Sequence, residues 1–154
     1  MNVNSNSYTY AFAIGLVVVV AAALAIAATG LKPAQDANIE LEKKANILSS
    51  IGLQAEDAAA LYDEVIKEQL VLKNGQVVSG KQPGSIDLAA AIALPEADRE
   101  VPLYVAEHNG QTYYIIPVRG KGLWGPIWGY ISLQSDGKTV YGAKFDHKSE
   151  TPGL

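Results

Sequence analysis

The chain has no cysteine in 154 residues, two histidines, and no charged side chain before Lys32. Without Cys there is no thiol nucleophile, no disulfide, no cysteine-ligated zinc and no iron–sulfur cluster. Neither histidine stands in a recognisable Ser-His-Asp pattern, and His108, at the approach to a hairpin turn, reads as a solvated edge residue. Basic charge is also scarce. Twelve Lys and Arg stand against sixteen Asp and Glu, a net charge of −4, so the chain lacks the electrostatic footprint of a nucleic-acid binder. No P-loop, internal repeat or low-complexity linker is found.

What the first 31 residues lack in charge they hold as an apolar run. Ala11 to Ala28 reads AFAIGLVVVVAAALAIAA, 18 residues without a charge. As a helix this run spans roughly 27 Å, close to the hydrocarbon core of a bilayer. Tyr8 and Tyr10 stand where interfacial aromatics belong. A signal peptide is the weaker reading, despite the Ala25-Ile26-Ala27 sequence. No Lys or Arg precedes the run, and the run is longer than the 7–15 residues of a signal h-region. One transmembrane anchor over residues 11–30 is expected, after a short tail at residues 1–10. Lys32, Lys43 and Lys44 follow it, so the positive-inside rule alone would put the C-terminal side in the cytoplasm.

Beyond the anchor the sequence predicts a helical segment, residues 31–72, and then an antiparallel sheet over residues 73–154. Pro33 is expected to stop the apolar helix or to open a new one. Ala34–Ser50 reads as amphipathic, with Ile39, Ala45, Leu48 and Ile51 near helical spacing and Gly52 as a stop. A second helix is expected from Ala55 to Leu70. Thereafter Asn74-Gly75, Asn109-Gly110 and Asp136-Gly137 mark tight hairpins. Strands are expected at Gln76–Val78, Leu103–Ala106, Thr112–Val118, Trp128–Leu133 and Thr139–Phe145, with a short helix over Ile86–Ala93. Helices followed by a meandering sheet give an α+β class.

The most specific stretch is Gly120–Tyr130, GKGLWGPIWGY, read with Asp146–Leu154, DHKSETPGL. Glycines allow close approach to the main chain and tryptophans make flat walls, the combination a planar aromatic ligand needs. The bland reading of the same residues is a tight corner capping a small β-core. Gly120 to Gly125 matches G-x-G-x-x-G, but Pro126 and a hairpin follow, whereas a dinucleotide turn must open a helix. Asp146, His147 and Glu150 are too sparse a set to point to a metal, and none is expected.

Taken with NIELEKKANILSSIGL, LYDEVIKEQLV and LYVAEHNGQTYYIIPVRGKGLWG, the segments GLWGPIWGYISL and FDHKSETPGL give a family resemblance over nearly the whole chain. The chain resembles the C subunits of the sodium-translocating NADH:quinone reductases, in the form found in Bacteroidetes-like bacteria. The resemblance implies an FMN-binding domain on one transmembrane helix, relaying electrons through FMN between the other subunits of the complex. It implies a single-pass protein of the bacterial inner membrane with its soluble domain in the periplasm, against the lysine count. Partners would be those subunits and membrane lipid, with no nucleic acid. Gly122, Leu123, Trp124, Glu150, Thr151, Gly153 and Leu154 match the family letters and are the expected cofactor-binding residues. No side chain of the chain is expected to be catalytic, because the cofactor does the chemistry. The family holds FMN through its phosphate on a threonine of a Ser-Gly-(Ala/Gly)-Thr-x-Thr motif, and these 154 residues contain none. The FMN-binding domain is therefore expected to be incomplete at its C-terminus, truncated in mid-motif at Leu154, and the chain alone to be inactive. Two other readings use the same residues. One is the related G subunit of the Rnf electron-transport complex. The other is a non-enzymatic membrane-anchored binding module with Trp124 and Trp128 as a stacking platform.

Overall fold

A computed structural model describes residues 5–123 and 125–147. The chain divides into two compact units, Met1–Glu40 and Leu41–Leu154. The first is helix. Helix α1 runs Asn6–Ser50, and its N-terminal part is long and apolar enough to cross a membrane, by length and composition. Phe12, Val19, Leu24 and Ile26 are all exposed, so no side of this stretch is reserved for a protein core. Pro33 lies inside α1 and neither stops nor restarts it, contrary to the sequence expectation. A proline deletes a single backbone donor, and intact turns on both sides keep the helix register. The helix ends where glycine was expected to end it. Leu53 N–H donates to Leu48 O at 3.1 Å and Gly52 N–H to Ser49 O at 3.0 Å, the paired bonds of a Schellman motif.

The second unit is a six-stranded antiparallel sheet of order β2-β1-β3-β4-β5-β6, with helices on it. Its elements are α2 (Ala58–Val65), β1 (Ile66–Lys73), β2 (Gln76–Val77), α3 (Leu88–Ala93), β3 (Val101–His108), β4 (Gln111–Lys121), β5 (Pro126–Leu133) and β6 (Val140–His147). The 3-10 turns Pro83–Ser85 and Glu96–Asp98 flank α3. The class is α+β, as the sequence indicated. One element was misread: Ile66–Leu70 is strand, not the end of a helix. Pairing with β3, Ile66 against Ala106 through Leu72 against Val101, overrides a local pattern that suited either structure. Helix α2 is correspondingly short and starts at Asp57, whose carboxylate accepts the Ala60 N–H at 3.0 Å.

Both Asn-Gly dipeptides make the hairpins expected of them. Asn74 and Asn109 each have φ of 50°, so both central turn positions are left-handed. Asp136-Gly137 turns differently. Asp136 takes no positive φ, and its carboxylate accepts from Thr139 Oγ1 at 2.6 Å and from the N–H groups of Lys138 and Thr139, each at 2.9 Å. The Thr139 hydroxyl bond, followed by these backbone bonds, holds the carboxyl below the usual carboxylate range. Its contribution to the turn is present above the unfolded carboxylate pKa and is lost as pH falls through the lowered folded value.

The core lies on one face of the sheet. Ile47, Leu48 and Ile51 of α1 and Tyr62 and Val65 of α2 pack on Tyr104, Ala106, Tyr113, Ile115 and Tyr130. A buried polar contact fixes the end of α1. Ser132 Oγ lies 2.6 Å from Ser50 O and 3.1 Å from Gly142 O, so its hydrogen is directed at one carbonyl and shared with the other. Gly142 is required here, because a Cβ would lie 2.6 Å from Ser50 O. Ser132→Ala leaves the Ser50 carbonyl without its donor, and we expect a loss of about 1–3 kcal/mol of stability. Chemical denaturation followed by circular dichroism measures it; an unchanged midpoint would show that the contact contributes nothing.

Candidate functional site

The site grows from the register of β4, β5 and β6. Strands β4 and β5 pair down to Lys121 against Pro126, and the turn between them carries Gly122 and Leu123. Gly122 N–H donates to Gly125 O at 2.7 Å. A Cβ on Gly122 would lie 3.0 Å from both Gly125 O and Ile127 Cγ2, so any side chain here would press on the turn. Leu123 is 89% exposed at the tip.

Ile127 pairs with His147 and Trp128 with Asp146, so the end of β6 lies beside the first residues of β5. Gly120–Tyr130, which runs from β4 into β5, and Asp146, near the end of β6, thus lie at the same end of one sheet. Of the expected binding residues, Gly122 and Leu123 are on the turn. Trp124, Glu150, Thr151, Gly153 and Leu154 lie outside the described residues.

The register adds residues that the sequence reading did not choose. Ile127 and Phe145, 39% and 56% exposed, are apolar side chains near this end. Gly129 pairs with Phe145 and Val118. A Cβ on Gly129 would collide with the Lys144 carbonyl and come within 2.7 Å of the Phe145 ring, so Phe145 lies over bare backbone. Arg119 stands directly across from Trp128. Period-two alternation could have placed Phe145 on a face, but the partner of each residue depends on loop lengths that the sequence does not print. Asp146 accepts the N–H of His147 at 2.7 Å, a contact that shapes the strand end. No helix follows Gly120–Gly125, since β5 begins at Pro126, and the turn has none of the anion-binding geometry of a dinucleotide fold.

Comparison with known proteins covers this region. The family described as "FMN-binding domain" matches residues 122–154, from the turn through β5 and β6 to the end of the sequence. The C subunit of the Na(+)-translocating NADH-quinone reductase of Pseudomonas aeruginosa is 34% identical over 151 residues, covering 83% of this chain and 58% of the relative. The corresponding protein of Pasteurella multocida is also 34% identical, with the same two shares. The crystal structure of the C subunit of this reductase from Parabacteroides distasonis is 40% identical and superposes with a TM-score of 0.70 over 80% of this chain and 61% of that one. The chain thus spans 58% of the length of the curated relatives it matches.

Proposed function

We propose, from the premise that the aligned residues belong to the family of Na(+)-translocating NADH-quinone reductase C subunits, that the chain is a membrane-anchored flavoprotein subunit relaying electrons through FMN. The observation that carries this reading is the tight Gly122–Gly125 turn, with Leu123 held out at its tip, at the start of the segment that matches the FMN-binding domain. Bare backbone and exposed aliphatic side chains beside a strand end suit a flat, mostly apolar ring. FMN, when bound, supplies the redox chemistry. The turn and Leu123 orient the ring and keep water from one side of it. Glu150, Thr151, Gly153 and Leu154, whose letters match the family's, are the residues this reading assigns to the ring as well. NADH oxidation, quinone reduction and sodium movement belong to the partner subunits in this reading.

Residues 11–30 cross the bilayer in this reading, and the part from residue 31 on lies in the periplasm. Because the chain has no native cysteine, Ser79→Cys gives a single reporter on the exposed β2–α3 connection. A membrane-impermeant maleimide applied to intact cells with a permeabilised outer membrane is expected to label it. Labelling only after lysis would place the domain in the cytoplasm instead.

The flavin reading is tested by titrating FMN with the full chain in detergent or nanodiscs and following quenching of flavin fluorescence. Saturable quenching that weakens with Gly122→Val supports it; no quenching at any concentration contradicts it. These 154 residues have no Ser-Gly-x-Thr-x-Thr acceptor, so the hold is non-covalent in a protein made of them. Co-expression with the flavin transferase is expected to leave no fluorescent band after denaturing electrophoresis. A band at the mass of this chain would reveal another acceptor residue.

A further inference from the structure

Only two of the asparagines, Asn74 and Asn109, precede a glycine, and both stand at the centre of a hairpin turn. A glycine nitrogen is unshielded and can attack the amide carbon of the side chain before it. The bond from that carbon to its NH2 group breaks, ammonia leaves, and a cyclic imide forms. Water then opens the imide at either carbonyl, giving aspartate or isoaspartate. The net change exchanges ammonia for water and needs no oxidant or enzyme. Asn74 and Asn109 each have φ of 50°, Gly75 has 75° and Gly110 has 74°, and all are exposed. The two sites thus share one chemistry and one turn. Attack requires the backbone between Asn and Gly to rotate out of that turn, so its rate follows how often the turn opens.

What holds each turn shut differs. Asn109-Gly110 joins β3 to β4, which pair from His108 against Gln111 to Tyr104 against Ile115, and β4 is flanked by β5 on its other side. Asn74-Gly75 joins β1 to β2, where Lys73 faces Gln76, Leu72 faces Val77, and the Val78 N–H donates to Val71 O at 2.8 Å. Strand β2 ends there, has β1 on one side and no strand on the other among the described residues, and leaves Val77 exposed. We propose that Asn74 is a site of spontaneous deamidation, opened to it by the short ladder of β2, whereas Asn109 is protected. Conversion sets a carboxylate beside Lys73, whose ammonium otherwise bonds Asp98 at 3.3 Å. Isoaspartate also adds a methylene to the main chain, which a two-residue turn does not accommodate. Both changes loosen β2. Lys81, 2.7 Å from each Glu100 carboxylate oxygen, holds the chain beyond, so the loosening is confined to the segment before it.

The experiment incubates the full chain in detergent at mildly alkaline pH, with and without urea, and follows both sites by mass spectrometry. Trypsin releases Asn74 in the peptide 74–81 and Asn109 in the peptide 100–119, because Lys73, Lys81, Arg99 and Arg119 bound them. The readout is the mass gained when NH2 becomes OH. In the folded chain Asn74 is expected to convert at least about fivefold faster than Asn109, a margin set by the further cross-strand pairs on the β3–β4 hairpin. In urea, where neither hairpin persists, the two rates are expected to converge. Hydrogen exchange of the converted chain should show the Val78 N–H losing protection while β3 and β4 keep theirs. The proposal is overturned if Asn109 converts as fast as Asn74 in the folded chain, or if Asn74 stays intact over a time that converts the chain in urea. It is equally overturned if the difference survives in urea, which would assign it to the flanking Lys73 and His108 and not to the hairpins.

Discussion

A chain shortened to begin at Lys32 is expected to move almost completely from the membrane to the soluble fraction, the largest effect of any change to this molecule. The segment it loses contains the whole uncharged run, including Phe12, Ile14, Leu16, Val17–Val20, Leu24 and Ile26. Each such side chain favours the bilayer centre by roughly 0.3–0.6 kcal/mol on an insertion scale, and none of the residues removed carries a charge to offset it. In the structure these side chains are exposed, so their removal takes nothing from the core of the Leu41–Leu154 unit. Ultracentrifugation of cell lysates, with the proposed partner subunits deleted, measures the partition. A shortened chain that still pelleted with membranes would mean that another surface holds it there.

Gly129→Val is expected to destabilise the Leu41–Leu154 unit by at least about 3 kcal/mol, the upper end of overpacking costs. The first atom of the new side chain would meet the Lys144 carbonyl and the Phe145 backbone and ring, in the middle of the β5–β6 ladder. Only the ring can turn aside. Phe145→Ala in the same chain is therefore expected to restore little, because the Lys144 carbonyl and the Phe145 main chain remain in place. Hydrogen exchange should show the damage as loss of protection along β6, an edge strand among the described residues, before β3 and β4 open. Full rescue by Phe145→Ala would show that the ring, not the strand backbone, sets the fit.

The contrast between these two changes parallels what was legible in the sequence. The anchor is a matter of composition, visible without any partner. The Asn74-Gly75 and Asn109-Gly110 hairpins were equally visible, because their left-handed φ is a local requirement. Pro33 misled because a proline rule describes average helices, and α1 runs straight through it. Ile66–Leu70 misled because both helix and strand suit IKEQL, and pairing to β3 decided between them. At the candidate site, Gly122 and Leu123 were expected from the family resemblance, and the structure places both on the β4–β5 turn. Gly129, Phe145 and Arg119 were not, since their importance lies in which residue stands across the ladder. The close approach at Gly129 and the placing of Arg119 beside Trp128 are properties of register.

The central claim is that this is a flavin-bearing redox subunit. It is tested most directly by the absorption spectrum of the full chain purified with the proposed partner subunits, without added cofactor and under non-denaturing conditions. Flavin bands that bleach on reduction, reappear on reoxidation and diminish in the Gly122→Val variant are the expected result. A colourless preparation of a folded, membrane-embedded chain, or flavin absorption indifferent to Gly122→Val, would contradict it.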